Sequence, residues 1–137
     1  MKKQPAALNT KATSTKKLNK PTSPPTKLEL CSYELLKAGT NGIHKLGTPT
    51  KVYGETALPS TISNLVRRIG LTLSKKRTKH THRAGGLTFF TWYWLPDRKE
   101  AEKALAFVNE KRSLRAASLI TEKESQYLLD QFPNPHP

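Results

Sequence analysis

Leu58, Ile62, Leu65, Val66 and Ile69 recur at helical spacing and stop at Gly70, and the next four residues, Leu71-Thr72-Leu73-Ser74, alternate with a period of two. A helix therefore hands the chain straight to a strand. The polar residues 75–86 follow, and residues 87–95, rich in Phe, Thr, Trp and Tyr, read as the returning strand. A two-stranded hairpin is marginal by itself in water, so this one must rest on helices. Its aromatic strand is apolar on both faces, with Phe90, Trp92 and Trp94 on one side and Phe89, Tyr93 and Leu95 on the other. Part of it needs a cover from elsewhere, and the segment after Pro96 is the expected source.

Upstream, Thr26-Lys27-Leu28-Glu29 has the pattern of a capping box, in which Thr26 accepts from the Glu29 amide while the Glu29 carboxylate reaches back. Leu28, Cys31, Leu35, Leu36 and Ala38 continue it as a first helix, stopped by Gly39. Residues 43–46 are short enough for a strand or an extended link. Thr48 and Pro49 suit the N-cap and first position of a brief second helix that ends at Tyr53-Gly54. Pro59 and Gly70 bracket the third. Downstream, Asp97 with Glu100 and Thr121 with Glu124 repeat the capping pattern ahead of two more helices. The fold class is α+β and mainly α. Helix, link, helix, helix, strand, basic loop, strand is the order of a winged helix-turn-helix, here with C-terminal helices added.

The expected organisation is a disordered basic tail over residues 1–25, the winged domain over 26–96, a helical extension over 97–132 and a frayed end over 133–137. The tail has only Leu8 and Leu18 as sizeable apolar groups, too little to offset chain entropy. With 137 residues there is room for one domain with tails and hardly for two.

Charge is sorted along the chain. The formal net charge is +14, yet residues 97–137 are neutral, and residues 56–96 contain no acid while carrying Arg67, Arg68, Lys75, Lys76, Arg77, Lys79 and Arg83. A cationic surface on a compact scaffold has a phosphate backbone as its natural counterpart. On the third helix, opposite its apolar stripe, Ser60, Ser63, Asn64 and Arg67 form one row at i, i+3, i+4 and i+7. Arg67 suits bidentate contact with guanine O6 and N7, and Asn64 suits adenine N6 and N7. Ser60 and Ser63 suit phosphate or water-mediated contacts, and Thr61 and Arg68 lie at the row's edges, within reach of the backbone.

Residues 75–86 have the composition of a wing. Lys75, Lys76, Arg77, Lys79, His80, His82 and Arg83 sit on a frame released by Gly85-Gly86, and such cations act chiefly through counterion release. His80 and His82 form an HxH pair, but no Cys or carboxylate stands near them in sequence and the surrounding cations repel metal. Neither a metal nor another cofactor is expected. There is also no Gly-rich phosphate loop and no acid in the cationic region to act as a base, so no enzymatic activity is expected.

Several runs carry a resemblance: Glu34-Leu35-Leu36-Lys37-Ala38-Gly39, Tyr53-Gly54-Glu55-Thr56-Ala57-Leu58, Ser60-Thr61-Ile62-Ser63, and Arg83-Ala84-Gly85-Gly86 before Phe90-Thr91 and Tyr93-Trp94-Leu95. Over roughly the middle half, the chain resembles the small winged helix-turn-helix proteins of bacterial prophages and mobile elements. Gly47 and Pro49 depart from the pattern, where a longer second helix is usual. The resemblance implies DNA binding without implying a target.

The expected function is thus a noncatalytic double-stranded DNA-binding protein, a transcriptional regulator of a phage or mobile element. A recombination or excision accessory protein that bends DNA is the near alternative, and a structural RNA-binding or protein-interaction module the alternative of another class. RNA stays open as a partner, as does a homodimer through the C-terminal helices. The lone Cys31 fits a reducing compartment, and polar residues follow Met1-Lys2-Lys3 where a signal peptide needs an apolar run. A cytoplasmic protein is expected, nucleoid-associated when bound, with no membrane contact.

Overall fold

The computed structural model describes residues 22–81 and 84–135. Most of the tail, residues 1–21, lies outside the described residues, as do His82, Arg83 and residues 136–137. The elements run α1 (Lys27–Ala38), a 3-10 turn (Gly39–Asn41), α2 (Thr48–Tyr53), α3 (Leu58–Ile69), β1 (Ser74–Thr81), β2 (Leu87–Trp94), α4 (Arg98–Leu114) and α5 (Glu122–Asp130). The protein is α+β, mainly helical, and its layout is compatible with a winged helix. Three caps form as the sequence implies: Thr26, Asp97 and Thr121 each accept a hydrogen bond from the amide three residues on. Gly47, not Thr48, is the N-cap of α2, and Gly70 closes α3 in the left-handed region.

β1 and β2 pair antiparallel from Ser74 opposite Trp94 to Thr81 opposite Leu87. This corrects the expected boundary, because Lys75, Lys76, Arg77 and Lys79 lie on a strand and not in a flexible loop, while residues 71–73 precede it. The aromatic strand imposes the pairing, which a Lys- and Arg-rich run does not announce by its own propensity. On the far edge of β2, Ile43 exchanges both backbone hydrogen bonds with Tyr93, at 2.8 and 2.9 Å. Gly42 permits the approach: its φ is +83°, and a Cβ there would stand 2.7 Å from the Tyr93 carbonyl oxygen.

Cys31, Leu35, Leu36, Ile43, Leu58, Ile62, Leu65, Leu71, Tyr93 and Leu95 share one apolar core with Ala101, Ala104, Val108, Ile120, Leu128 and Phe132. The C-terminal helices thus build the same core as the first three. α4 packs along α1, and α5 on both. On the face of Tyr93 and Leu95 they thus share in the cover expected for the aromatic strand. On the other face His44, in the link before α2, contributes: its ring lies 4.8 Å from Phe90 and 4.3 Å from Trp92. Two further expectations change. The Glu29 carboxylate turns from its own helix to a bidentate pair with Arg115, at 3.0 and 2.7 Å. Pro133, expected in a frayed end, accepts a hydrogen bond from the Arg98 amide at 2.8 Å.

Candidate nucleic-acid interface

α3 is positioned from its start by Glu55, whose side chain is only 3% exposed as a residue. The carboxylate accepts from the Tyr53 hydroxyl at 3.0 Å, the Ala57 amide at 3.1 Å and the Thr61 hydroxyl at 2.8 Å, and it pairs with Lys27 at 3.3 Å. Burial pushes its pKa up, but these donors outweigh burial and leave it below the ordinary carboxylate value. An anion at the first turn also complements the helix dipole.

Thr61 is therefore not available for a backbone contact. It is 5% exposed, and its hydroxyl is engaged with Glu55. Its place three residues after Leu58 and four before Leu65 sets it in the apolar stripe, and that spacing was the readable signal. Ser60, Ser63, Arg67 and Arg68 are exposed, while Asn64 is half-buried. Arg67 donates to the Asn64 carboxamide oxygen at 2.7 Å, so the two proposed base readers hold each other. Arg68 separates from the row. It lines a cleft of about 570 Å³ with Leu28, Ile69, Phe107 and the charged Lys103, Glu110 and Lys111.

The register assigns the hairpin cations to two faces. Lys75, Arg77 and Lys79 stand opposite Tyr93, Thr91 and Phe89, on the face that reaches the core at Tyr93. Lys76 and His80 stand opposite Trp92 and Thr88, on the face covered by His44. There the His80 ring meets Phe90 edge-on at 5.9 Å. Burial, then the charges of Lys51 and His80, lowers the pKa of His44, and its Nδ1 accepts from the Leu46 amide at 3.3 Å.

A groove separates α3 from the first of these faces. One part, about 510 Å³, is lined by Pro59, Ile62, Ser63, Val66, Arg67, Leu73, Lys75 and Tyr93. A second, about 310 Å³, shares Pro59 and Tyr93 and adds Lys45, Arg77 and Phe89. Ser63, Arg67 and Lys75 thus line the first part, and Lys45 and Arg77 line the second, with Pro59 and Tyr93 between them. Sequence reasoning missed Lys45, because only the Ile43 bridge brings it there.

Of the acids flanking this region in sequence, half-buried Asp97 caps α4, and Glu55 and Glu100 face inward. Glu55 is buried as described, and Glu100, also buried, accepts from the Thr72 amide at 2.7 Å and pairs with Lys103 at 3.2 Å. Neither offers a negative surface beside the groove. Among the described residues no helix is long and apolar enough to cross a membrane. Comparisons with known proteins return no match: no family model, no characterised sequence and no solved structure corresponds to the chain.

Proposed function

We propose that the protein is a noncatalytic double-stranded DNA-binding protein of the winged helix-turn-helix type, with α3 entering the major groove and the β1–β2 hairpin following the flanking backbone. One observation carries the reading. The acid-free residues 56–96 fold so that Ser63 and Arg67 of α3 and Lys75 of β1 line one pocket and Arg77 an adjoining pocket that shares Pro59 and Tyr93 with it, while Glu55 and Glu100, which flank that segment, are buried. A helix lying between two phosphate ridges needs such a surface. The element order adds support, including the Ile43 bridge between α1 and α2. Within that reading, a transcriptional regulator of a phage or mobile element is the form of the function proposed.

Selection of bound sites from a random duplex pool, with RNA as competitor, tests this. A defined duplex motif should emerge, and Arg67→Ala should relax base preference at one position of it by about 1–3 kcal/mol. Replacing Lys75, Arg77 and Lys79 by Ala should weaken binding to all duplexes and flatten the slope of log K against log salt by about 2–3. Preferential retention of RNA, or an unchanged salt slope, contradicts the proposal.

A further inference from the structure

The cleft of about 570 Å³ that Arg68 lines shares no residue with the groove between α3 and the hairpin. Arg67 and Arg68, neighbours in sequence, therefore belong to different surfaces. One flank of the cleft comes from α4, where Lys103, Ala106, Phe107, Glu110 and Lys111 recur at i, i+3, i+4, i+7 and i+8, beside the stripe that Ala101, Ala104 and Val108 bury. Ala106 is exposed and puts only a methyl group in the middle of that flank. Leu28 of α1 and Ile69 of α3 join Phe107 as the apolar floor, all three half-buried and packed on the core. Of the cations, Lys103 is engaged, with Glu100 at 3.2 Å and with the Gly70 carbonyl at 3.3 Å. Lys111 holds its ammonium 5.5 Å from the Phe107 ring centroid. Neither Lys111 nor Arg68 pairs with an acid among the described residues.

We infer that this cleft is a binding site for a small organic acid, a carboxylate carried on an aromatic or branched aliphatic body. The body rests on Leu28, Ile69 and Phe107, the Arg68 guanidinium offers the planar fork that matches a carboxylate, and Lys111 adds a second positive charge. An apolar concavity of about 300–1,000 Å³ with a few polar groups at its edge is the usual form of a small-molecule site. Charge argues against the occupants this chain could supply itself. Residues 1–25 carry Lys and no acid, and a second copy brings a net charge of +14, so both are repelled by Arg68 and Lys111. A phosphate backbone would use those cations but leave the three apolar side chains without a partner. The site stands whether or not the protein binds DNA.

The test is a titration of the isotope-labelled full chain, without DNA, followed by the backbone amide signals in nuclear magnetic resonance. The probes are naphthoate, its neutral analogue naphthamide, inorganic phosphate, and a short acidic peptide with Glu and Leu at helical spacing. Naphthoate should shift the Ile69, Phe107 and Lys111 amides with a Kd of about 1 mM or tighter, and naphthamide and phosphate should bind at least about tenfold more weakly. Arg68→Gln should weaken naphthoate about tenfold and leave naphthamide unchanged. Ala106→Leu fills the cleft at an exposed helical position that Leu tolerates, so its spectrum should stay folded while the naphthoate shifts vanish. Absence of shifts at about 10 mM naphthoate, or shifts that survive Ala106→Leu, overturn the site. Equal affinity for naphthamide reduces it to an apolar patch, and equal affinity for phosphate to a general anion site; either result overturns the proposal. So does tighter binding of the acidic peptide at the same amides, which would assign the cleft to a partner protein.

Discussion

Replacing Glu55 by Gln should cost the protein about 2–3 kcal/mol at pH 7. The carboxylate serves four donors, with Tyr53 and Thr61 on one oxygen and Ala57 and Lys27 on the other. An amide can keep only one of those oxygens. If it keeps the first, its NH₂ faces the Ala57 amide and the Lys27 ammonium, and two donors lose their acceptor. A hydrogen bond to a charged group is worth about 1.5–3 kcal/mol, and the half-exposed Lys27 adds at most about 1. The neutral amide costs less to bury, which offsets part of the loss. Urea unfolding should show it as a midpoint lowered by about 2 M at an m-value near 1.5 kcal/mol/M. Acid supplies the control. The folded pKa of Glu55 is lowered, so its contribution is complete above the ordinary value of about 4.3 and disappears as pH falls through the lower folded value. Gln has no such dependence. The gap between wild type and variant should therefore be constant above about pH 5 and close toward pH 2–3. A gap below about 1 kcal/mol at pH 7, or one unchanged at pH 3, refutes the role given to Glu55.

Gly42→Ala should destabilise by about 2–4 kcal/mol in the same urea assay, since a side chain at φ +83° strains the backbone and its Cβ would displace the Tyr93 carbonyl that receives the Ile43 amide. Arg115→Met leaves the buried Glu29 carboxylate with only Arg112, at 3.9 Å, and should cost about 2–3 kcal/mol, seen as a lower melting temperature. Cys31 is fully buried, and that burial pushes its thiol pKa up to about 12, so a thiol-specific chromophoric reagent at pH 8 should label the native protein no faster than it unfolds and label it at once in denaturant.

The parts of this fold that the sequence makes legible are those whose causes lie within a few residues. Thr26, Asp97 and Thr121 cap their helices as their spacing implies, and α3 spans the expected residues because its apolar period and Gly70 are local signals. What escapes is held by distant partners. β1 is a strand because β2 pairs with it, and its own Lys-Lys-Arg run argues for a loop. The Glu29 carboxylate finds Arg115 across the fold, and His44 covers the Phe90 and Trp92 rings. Of the candidate site, the exposed Ser60, Ser63 and Arg67 were readable from helical spacing. The division of the hairpin cations between two faces was not, because it needs the strand register.

The position of the acids gives the cationic segment its rigidity as well as its sign. Glu55 immediately precedes residues 56–96 and Glu100 stands four residues after them, beyond the α4 cap Asp97, and each of the two glutamates turns inward to fasten one part of that segment. Glu55 fixes the start of α3 through the Ala57 amide and Thr61; Glu100 fixes the entry to β1 through the Thr72 amide. Gly70 lies between these two attachments, and Lys103, paired with Glu100, donates to its carbonyl at 3.3 Å. α3 and the hairpin are therefore set against each other by carboxylates anchored in the scaffold as well as by the core that Leu58, Ile62 and Leu65 share with Tyr93.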